Sequence, residues 1–207
     1  MLHVFDLDGT LIHGSTASLE IAKVTGTTVE LAELERSFGA GKIGTRQFAH
    51  AIGQLWRGLS HETVEQAMHG TPFLSGIAEV IQDIRARGER SALITMTPNF
   101  FADRMSVFGF DHIAGSVFPA LPLAKDPNPE LILVPESKVS ITATWLKLYG
   151  LSWSECVAYG DSLSDLPLFA QLENTIAINA SESLQALSRH IYTGGSIWEA
   201  YTQAHTR

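Results

Sequence analysis

From Gly76 onward the sequence alternates helical and extended patterns in short steps, and this alternation limits the fold more than any other feature of the chain. "GIAEVIQDIRARG" places apolar residues three and four apart, "RSALIT" is a short apolar run, "NFFADRMSVFG" is helical again and "HIAGSVF" is extended. After a proline-rich stretch, "AKDPNPELILVP", the order resumes with a helix in "SKVSITATWLKLYG", a strand in "CVAYGD", a helix in "LSDLPLFAQL", a strand in "TIAIN" and a helix in "ESLQALSRH". Strands joined through helices imply right-handed crossovers. The expected class is therefore α/β, a Rossmann-like, doubly wound, mainly parallel sheet covered on both faces. "MLHVF" supplies a first strand, and between it and the alternating part lie four helical patterns, "STASLEIAKVTG", "VELAELERSFGAG", "TRQFAHAIGQLW" and "SHETVEQAMHG". The expected organisation is a core of residues 1–13 and 73–207 with a small all-helical insert, 14–72, after the first strand.

Composition narrows the function classes. With 207 residues, 45% of them hydrophobic, the chain can bury one sizeable core and carry a small insert. A net charge of -8 argues against an extended nucleic-acid footprint, which needs a basic stripe. An anionic substrate would have to be received by a metal or a few local cations. The single cysteine, Cys156, excludes an internal disulfide, and its apolar neighbours read as a buried strand. The first residues carry no positive leader and no segment reaches membrane-spanning length, so a cytoplasmic protein without membrane partners is expected.

In sheets of this kind ligands bind beyond the carboxyl ends of the strands. Asp6 and Asp8 follow the first strand, Thr95 closes "ALIT", Asp161 and Asp165 follow "CVAYG", and Lys138 begins the preceding helix. All of them should gather at one sheet edge. Carboxylates so gathered repel one another, and a hard divalent cation such as Mg2+ is the simplest remedy. A lysine and a hydroxyl at the same edge would receive an anion's oxygens. Each motif alone has a plain reading: a turn for "DLDGT", a solvated helix start for Lys138, a helix cap for "GDSLSD". Neither a calcium loop, which needs its acids within one twelve-residue segment, nor a glycosidase acid pair uses all of these groups. Together they describe phosphoryl transfer.

"DLDGT", "ALIT", Lys138 and "GDSLSD", in that order, resemble the four motifs of the haloacid dehalogenase-like superfamily, over nearly the whole chain. The helical insert, and the 23 residues between Lys138 and Asp161, are similar to its phosphoserine phosphatase-like branch. The resemblance implies Asp6 as nucleophile and Asp8 as general acid and base. Asp6, Asp161 and the Asp8 carbonyl would ligate Mg2+. Thr95, the Met96 N–H and Lys138 would bind the phosphoryl group, and Asp165 would orient Lys138. It implies a phosphomonoesterase acting on a small phosphorylated metabolite. A phosphomutase or phosphotransferase on the same fold, and a catalytically silent homologue, are the alternatives.

The chain also departs from that branch. Where relatives carry an acid and an arginine that grip an amino acid's ammonium and carboxylate, it has Ser15 and His50, so phosphoserine is expected to be a poor substrate. The second motif is bulkier, Thr95-Met96-Thr97, and residues 119–135 are unlike the usual hairpin. Phe48, Leu55 and Trp56 of the insert would form either its own core or an apolar lining for the leaving group. "GAGKIG" lacks the preceding strand a dinucleotide loop requires and reads as a turn between helices.

Overall fold

The computed structural model describes residues 1–203. The chain runs β1 (Leu2–Phe5), α1 (Ala17–Thr25), α2 (Thr28–Gly39), α3 (Thr45–Leu55), α4 (His61–Gly70), α5 (Ile77–Ala86), β2 (Arg90–Pro98), α6 (Asn99–Ala102) and β3 (His112–Ser116). It continues with α7 (Pro135–Tyr149), β4 (Cys156–Gly160), α8 (Leu166–Phe169), β5 (Asn174–Ile178), α9 (Glu182–Gln185), β6 (His190–Tyr192) and α10 (Ile197–Gln203). All strand pairs are parallel, in the order β3-β2-β1-β4-β5-β6. The chain winds outward from β1 to β3, then crosses back over it to start β4. β1 is therefore flanked by the point where the winding reverses, which opens a crevice at its carboxyl end.

Alternation along the strands divides the core in two. Leu2, Val4, Ala92, Ile94, Cys156 and Ala158 face one side and pack with Leu146 of α7, Phe169 of α8 and Leu184 of α9. Phe5, Leu93, Val157 and Tyr159 face the other and pack with α5, α10 and the helical insert. Both faces are covered, which is why these strands read as unbroken apolar runs. Cys156 is fully buried, and burial pushes its thiol up to about 12, so it serves as packing.

Three stretches differ from the sequence expectation. "NFFADRMSVFG" forms one turn of α-helix and then a 3-10 helix, Asp103–Phe108, closed by Gly109 at φ 86. "ESLQALSRH" yields only the four residues of α9, and its end begins β6, a three-residue strand too short to carry a periodic signal. α10 had no sequence counterpart; its Ile197 and Tyr201 cover the sheet beside α5.

The segment after β3 is a strap laid on the insert. Gly58 N–H donates to the Leu123 carbonyl at 2.7 Å and Leu123 N–H to the Leu59 carbonyl at 3.0 Å. Arg57 pairs with Asp126 at 2.6 Å and Arg46 Nε donates to the Pro129 carbonyl at 2.9 Å. A side chain at Gly53 would come within 2.9 Å of Pro127, so the small residue in α3 lets the strap lie close. Trp56 belongs to the insert's interior, 2% exposed, its indole N–H 3.3 Å from Thr27 Oγ1. Leu55 packs with it in the core, so of the two readings of Phe48, Leu55 and Trp56 the insert core holds for Leu55 and Trp56, and only Phe48 reaches the cleft. The turn at Gly39–Gly44 joins α2 to α3, as its sequence implied. No helix of the described residues is long and apolar enough to cross a membrane.

Candidate active site

β1 ends at Phe5, and Asp6 follows with its N–H held by the Tyr159 carbonyl of β4 at 3.0 Å, which fixes it between the two central strands. Lys138 enters from the first turn of α7, where Pro135 occupies the first helical position and the Ser137 hydroxyl accepts from Val134 N–H at 3.0 Å. The Lys138 side chain is 2% exposed, and its Nζ donates to Asp6 Oδ1 at 2.7 Å and to Asp165 Oδ1 at 2.6 Å. Two carboxylates outweigh burial and hold this ammonium above its ordinary pKa, so it stays charged. Asp165 spends its second oxygen on the N–H groups of Asp161 and Ser162, at 3.1 and 3.2 Å. Gly160 is required here, because a Cβ would lie 2.4 Å from the Asp165 carboxyl carbon.

Oxygens of Asp6, Asp161 and Asp165 lie within 4.8 Å of one another. Asp165 is already saturated by Lys138 and two amides, so it orients the lysine and is not the group to reach a cation. Asp161 is the opposite case: its Oδ1 is buried with no hydrogen-bond partner among the described residues. Its carboxylate comes so close to β1 only because residue 9 is glycine, where a Cβ would sit 2.1 Å from Asp161 Oδ2 and where φ is 77. Burial first, and then the charge of Asp165, push Asp161 up to about 7, while Lys138 opposes. Asp6 is likewise raised, by burial against the pull of Lys138. Three carboxylates facing one ammonium leave an excess of two negative charges, the charge one divalent cation neutralises. An orphaned oxygen, a glycine cradle and an all-oxygen donor set fit Mg2+, with Asp6 and Asp161 as its carboxylates.

Asp8 turns away from this cluster. Its Oδ1 accepts from Ala17 N–H, the first residue of α1, at 2.7 Å, and its Oδ2 contacts the Thr97 hydroxyl. The Thr16 hydroxyl caps the same helix by accepting from Leu19 N–H at 3.1 Å. Burial raises the Asp8 carboxyl although both contacts pull it down. Thr95 is 1% exposed and its Oγ1 accepts from Thr97 N–H at 3.1 Å, which curls β2 at the irregularity between Ile94 and Pro98. Asp6, Asp8, Thr95 and Met96 line one pocket of about 410 Å3. A second pocket of about 200 Å3 shares Asp8, Phe38 and Met96 with it and extends beneath the insert and the strap.

The sequence profile of the haloacid dehalogenase-like hydrolases matches residues 3–170. The chain belongs to that family. It is 25% identical to a phosphoserine phosphatase of Idiomarina loihiensis over 206 residues, 96% of this chain and 90% of that one. A phosphoserine phosphatase of Methanocaldococcus jannaschii is also 25% identical, over 187 residues covering 89% of this chain and 88% of that one. A substrate-bound phosphoserine phosphatase structure superposes with a TM-score of 0.84 at 22% identity, covering 98% of this chain and 97% of that one. A structure of a phospho-aspartyl intermediate analogue of phosphoserine phosphatase gives 0.83 at 21% identity, with the same coverage of both. This family member is therefore a phosphatase of the phosphoserine phosphatase-like branch.

The structure brings Asp6, Lys138, Asp161 and Asp165 together at one sheet edge, with Thr95 and Met96 lining the same pocket as Asp6. Of the two specificity positions, Ser15 borders an adjoining pocket with Asp161 and Glu35, and His50 lies outside the cleft. Ser15 is buried and donates to Glu20, which also receives Lys23 at 2.6 Å, so this family position is spent inside the insert. His50 is on the outer face of α3, 4.0 Å from Asp126 of the strap, and its neighbours Phe48 and Ala49 line the pocket instead. Sequence reasoning missed Thr97, Glu35, Phe38 and Phe118, all of which line the second pocket. For Thr97 a signal existed: a residue two after Thr95 on a strand falls on the same side.

Proposed function

We propose that this phosphatase is a Mg2+-dependent phosphomonoester hydrolase that works on a small phosphorylated metabolite through an aspartyl-phosphate on Asp6. The observation that carries this reading is the Asp6–Lys138–Asp165 chain, at 2.7 and 2.6 Å, beside an Asp161 oxygen with no partner among the described residues. Lys138 holds Asp6 Oδ1, and Oδ2 has no hydrogen-bond partner among the described residues, so the nucleophile is oriented. Asp6 attacks phosphorus in line, and the bond to the leaving oxygen breaks. Asp8, whose carboxyl burial pushes toward the protonated form, gives its proton to that oxygen. Asp8 then takes a proton from water, which attacks the phosphoryl group and releases Asp6. Thr95, the Met96 N–H and Lys138 receive the phosphoryl oxygens. Bound by Asp6, Asp161 and the Asp8 carbonyl, Mg2+ would add positive charge at those oxygens and keep Asp6 ionised.

No nucleic acid or membrane partner is part of this reading, and a cytoplasmic setting is the one it assumes. Ser15 and His50 offer no acid and arginine pair to a zwitterion, which supports a leaving group other than serine. The test is phosphate release from phosphorylated metabolites with and without Mg2+, for the native protein and Asp6→Asn. Release should need Mg2+ and fall by ~10^4-fold or more in the variant. Activity that survives Asp6→Asn would refute the mechanism, and phosphoserine turned over well above other phosphomonoesters would remove the substrate restriction.

A further inference from the structure

The second pocket has a chemistry of its own. Phe38 and Phe48, with ring centroids 5.3 Å apart, form one wall with Ile52, and Met96, Phe118 and Ile132 close the other sides. Phe38 is 37% exposed, an aromatic face turned to an open cleft. The ionisable side chains lining the pocket are Asp8 and Glu35; no lysine, arginine or histidine among the described residues does so. Glu35, from α2, is exposed and makes no hydrogen bond or ion pair among the described residues. Partial desolvation, then the charge of Asp8, push its carboxyl up.

With Asp8 holding the proton it will deliver, Glu35 is the charge facing this apolar space, and with no cation lining the pocket it disfavours an anionic guest and favours a cationic one. A leaving group with a carboxylate would meet Glu35 and find no cation. An apolar body carrying an amine would find aromatic walls and, at the rim, an unpaired acceptor. The pocket adjoins the phosphoryl site through Asp8, Phe38 and Met96, so one molecule can occupy both. Resting on the phosphatase reading above, we propose that the substrate is the phosphomonoester of an apolar amino alcohol. Its body lies against Phe38, Phe48 and Phe118, its amine meets Glu35, and it bears no carboxylate.

Three matched aryl phosphates test this: O-phosphotyramine, O-phosphotyrosine, which adds a carboxylate, and 4-ethylphenyl phosphate, which lacks the amine. Their leaving groups are all para-alkyl phenols, so differences in kcat/KM report recognition. Phosphotyramine should exceed both others by about tenfold, the worth of one charge-assisted contact at a partly exposed site. In Glu35→Gln the ratio of phosphotyramine to 4-ethylphenyl phosphate should fall to near one; being a ratio within one protein, it is indifferent to partial misfolding. Phosphotyrosine matching phosphotyramine, or a ratio unchanged in Glu35→Gln, overturns the inference. Release of phosphate from p-nitrophenyl phosphate with no ranking among the three removes this inference alone. No release from any of the four removes the phosphatase reading and the inference with it.

Discussion

The two ends of the cleft are built on opposite rules. At the phosphoryl end, charge is dense and held in a fixed network: Lys138 serves two carboxylates, Asp165 spends both oxygens, and Gly9 and Gly160 leave room for the carboxylates of Asp161 and Asp165. At the leaving-group end, the walls are aromatic and aliphatic, and the acid at the rim, Glu35, has no partner among the described residues. The first end stands on strand termini and the start of α7. The second is assembled from α2, α3, the end of β2 and the strap. On the proposed reading, the chemistry is fixed to the sheet and selection of the alcohol is left to the parts that cover it.

That division can be broken most sharply at Asp165. Asp165→Asn removes the carboxylate that pairs Lys138 and should leave the alcohol pocket intact, since Asp165 does not line it. The expected result is a fall in kcat of ~10^2 to 10^3-fold, comparable to losing an oriented transition-state donor. Preference among the aryl phosphates should be retained. A loss of that preference as large as the loss of kcat would show that the two ends are not independent.

The crowding of acid at the phosphoryl end also predicts a stability signature. Asp161 titrates near 3.8 when exposed and is pushed up to about 7 in the folded chain by burial and Asp165. A carboxyl raised on folding binds its proton more tightly in the native state, so its stabilisation is present below about pH 4 and is lost as pH rises toward about 7. Metal-free protein in chelator should therefore lose stability over that interval, on the order of a few kcal/mol or about 5–10 °C in Tm. Mg2+ should flatten the dependence, and Asp161→Asn should weaken it. Thermal melts from pH 4.5 to 7.5, with chelator or with Mg2+, decide the matter. A Tm that rises across this range in chelator would contradict the charge arrangement.

The same contrast explains what could be read from the sequence. Asp6, Asp161 and Lys138 were legible because parallel strands bring their carboxyl ends to one edge whatever lies between them. Asp165 and the glycines follow from contacts within the same motifs. The pocket walls were not legible, since Phe38, Phe118 and Ile132 come from an insert helix and a strap whose meeting is a tertiary event without periodic signal. Trp56 took the insert-core alternative that its helical spacing left open, while Phe48, eight residues earlier on the same helix, reaches the cleft. β6 and α10 were missed for a different reason, being short elements whose apolar residues are too few to form a pattern.

Thr97 is where the two ends meet, and it supports the smallest of the expected effects. It lines the alcohol pocket while its hydroxyl contacts Asp8 Oδ2, leaving the Ala17 amide to hold the other oxygen. The hydroxyl can accept from a protonated Asp8 or donate to an ionised one, so it steers the carboxyl in both halves of the reaction. Thr97→Val keeps shape and removes that contact. The expected loss in kcat is about tenfold, near the worth of one hydrogen bond to a charged group. Alkyl phosphates should bear most of it, because an alkoxide must be protonated as it leaves, whereas p-nitrophenolate needs no proton and should be affected much less. Thr97→Ser should recover most of the alkyl-phosphate rate. Equal losses for alkyl and nitrophenyl substrates would place Thr97 in the pocket wall alone and leave the orientation of Asp8 to the start of α1.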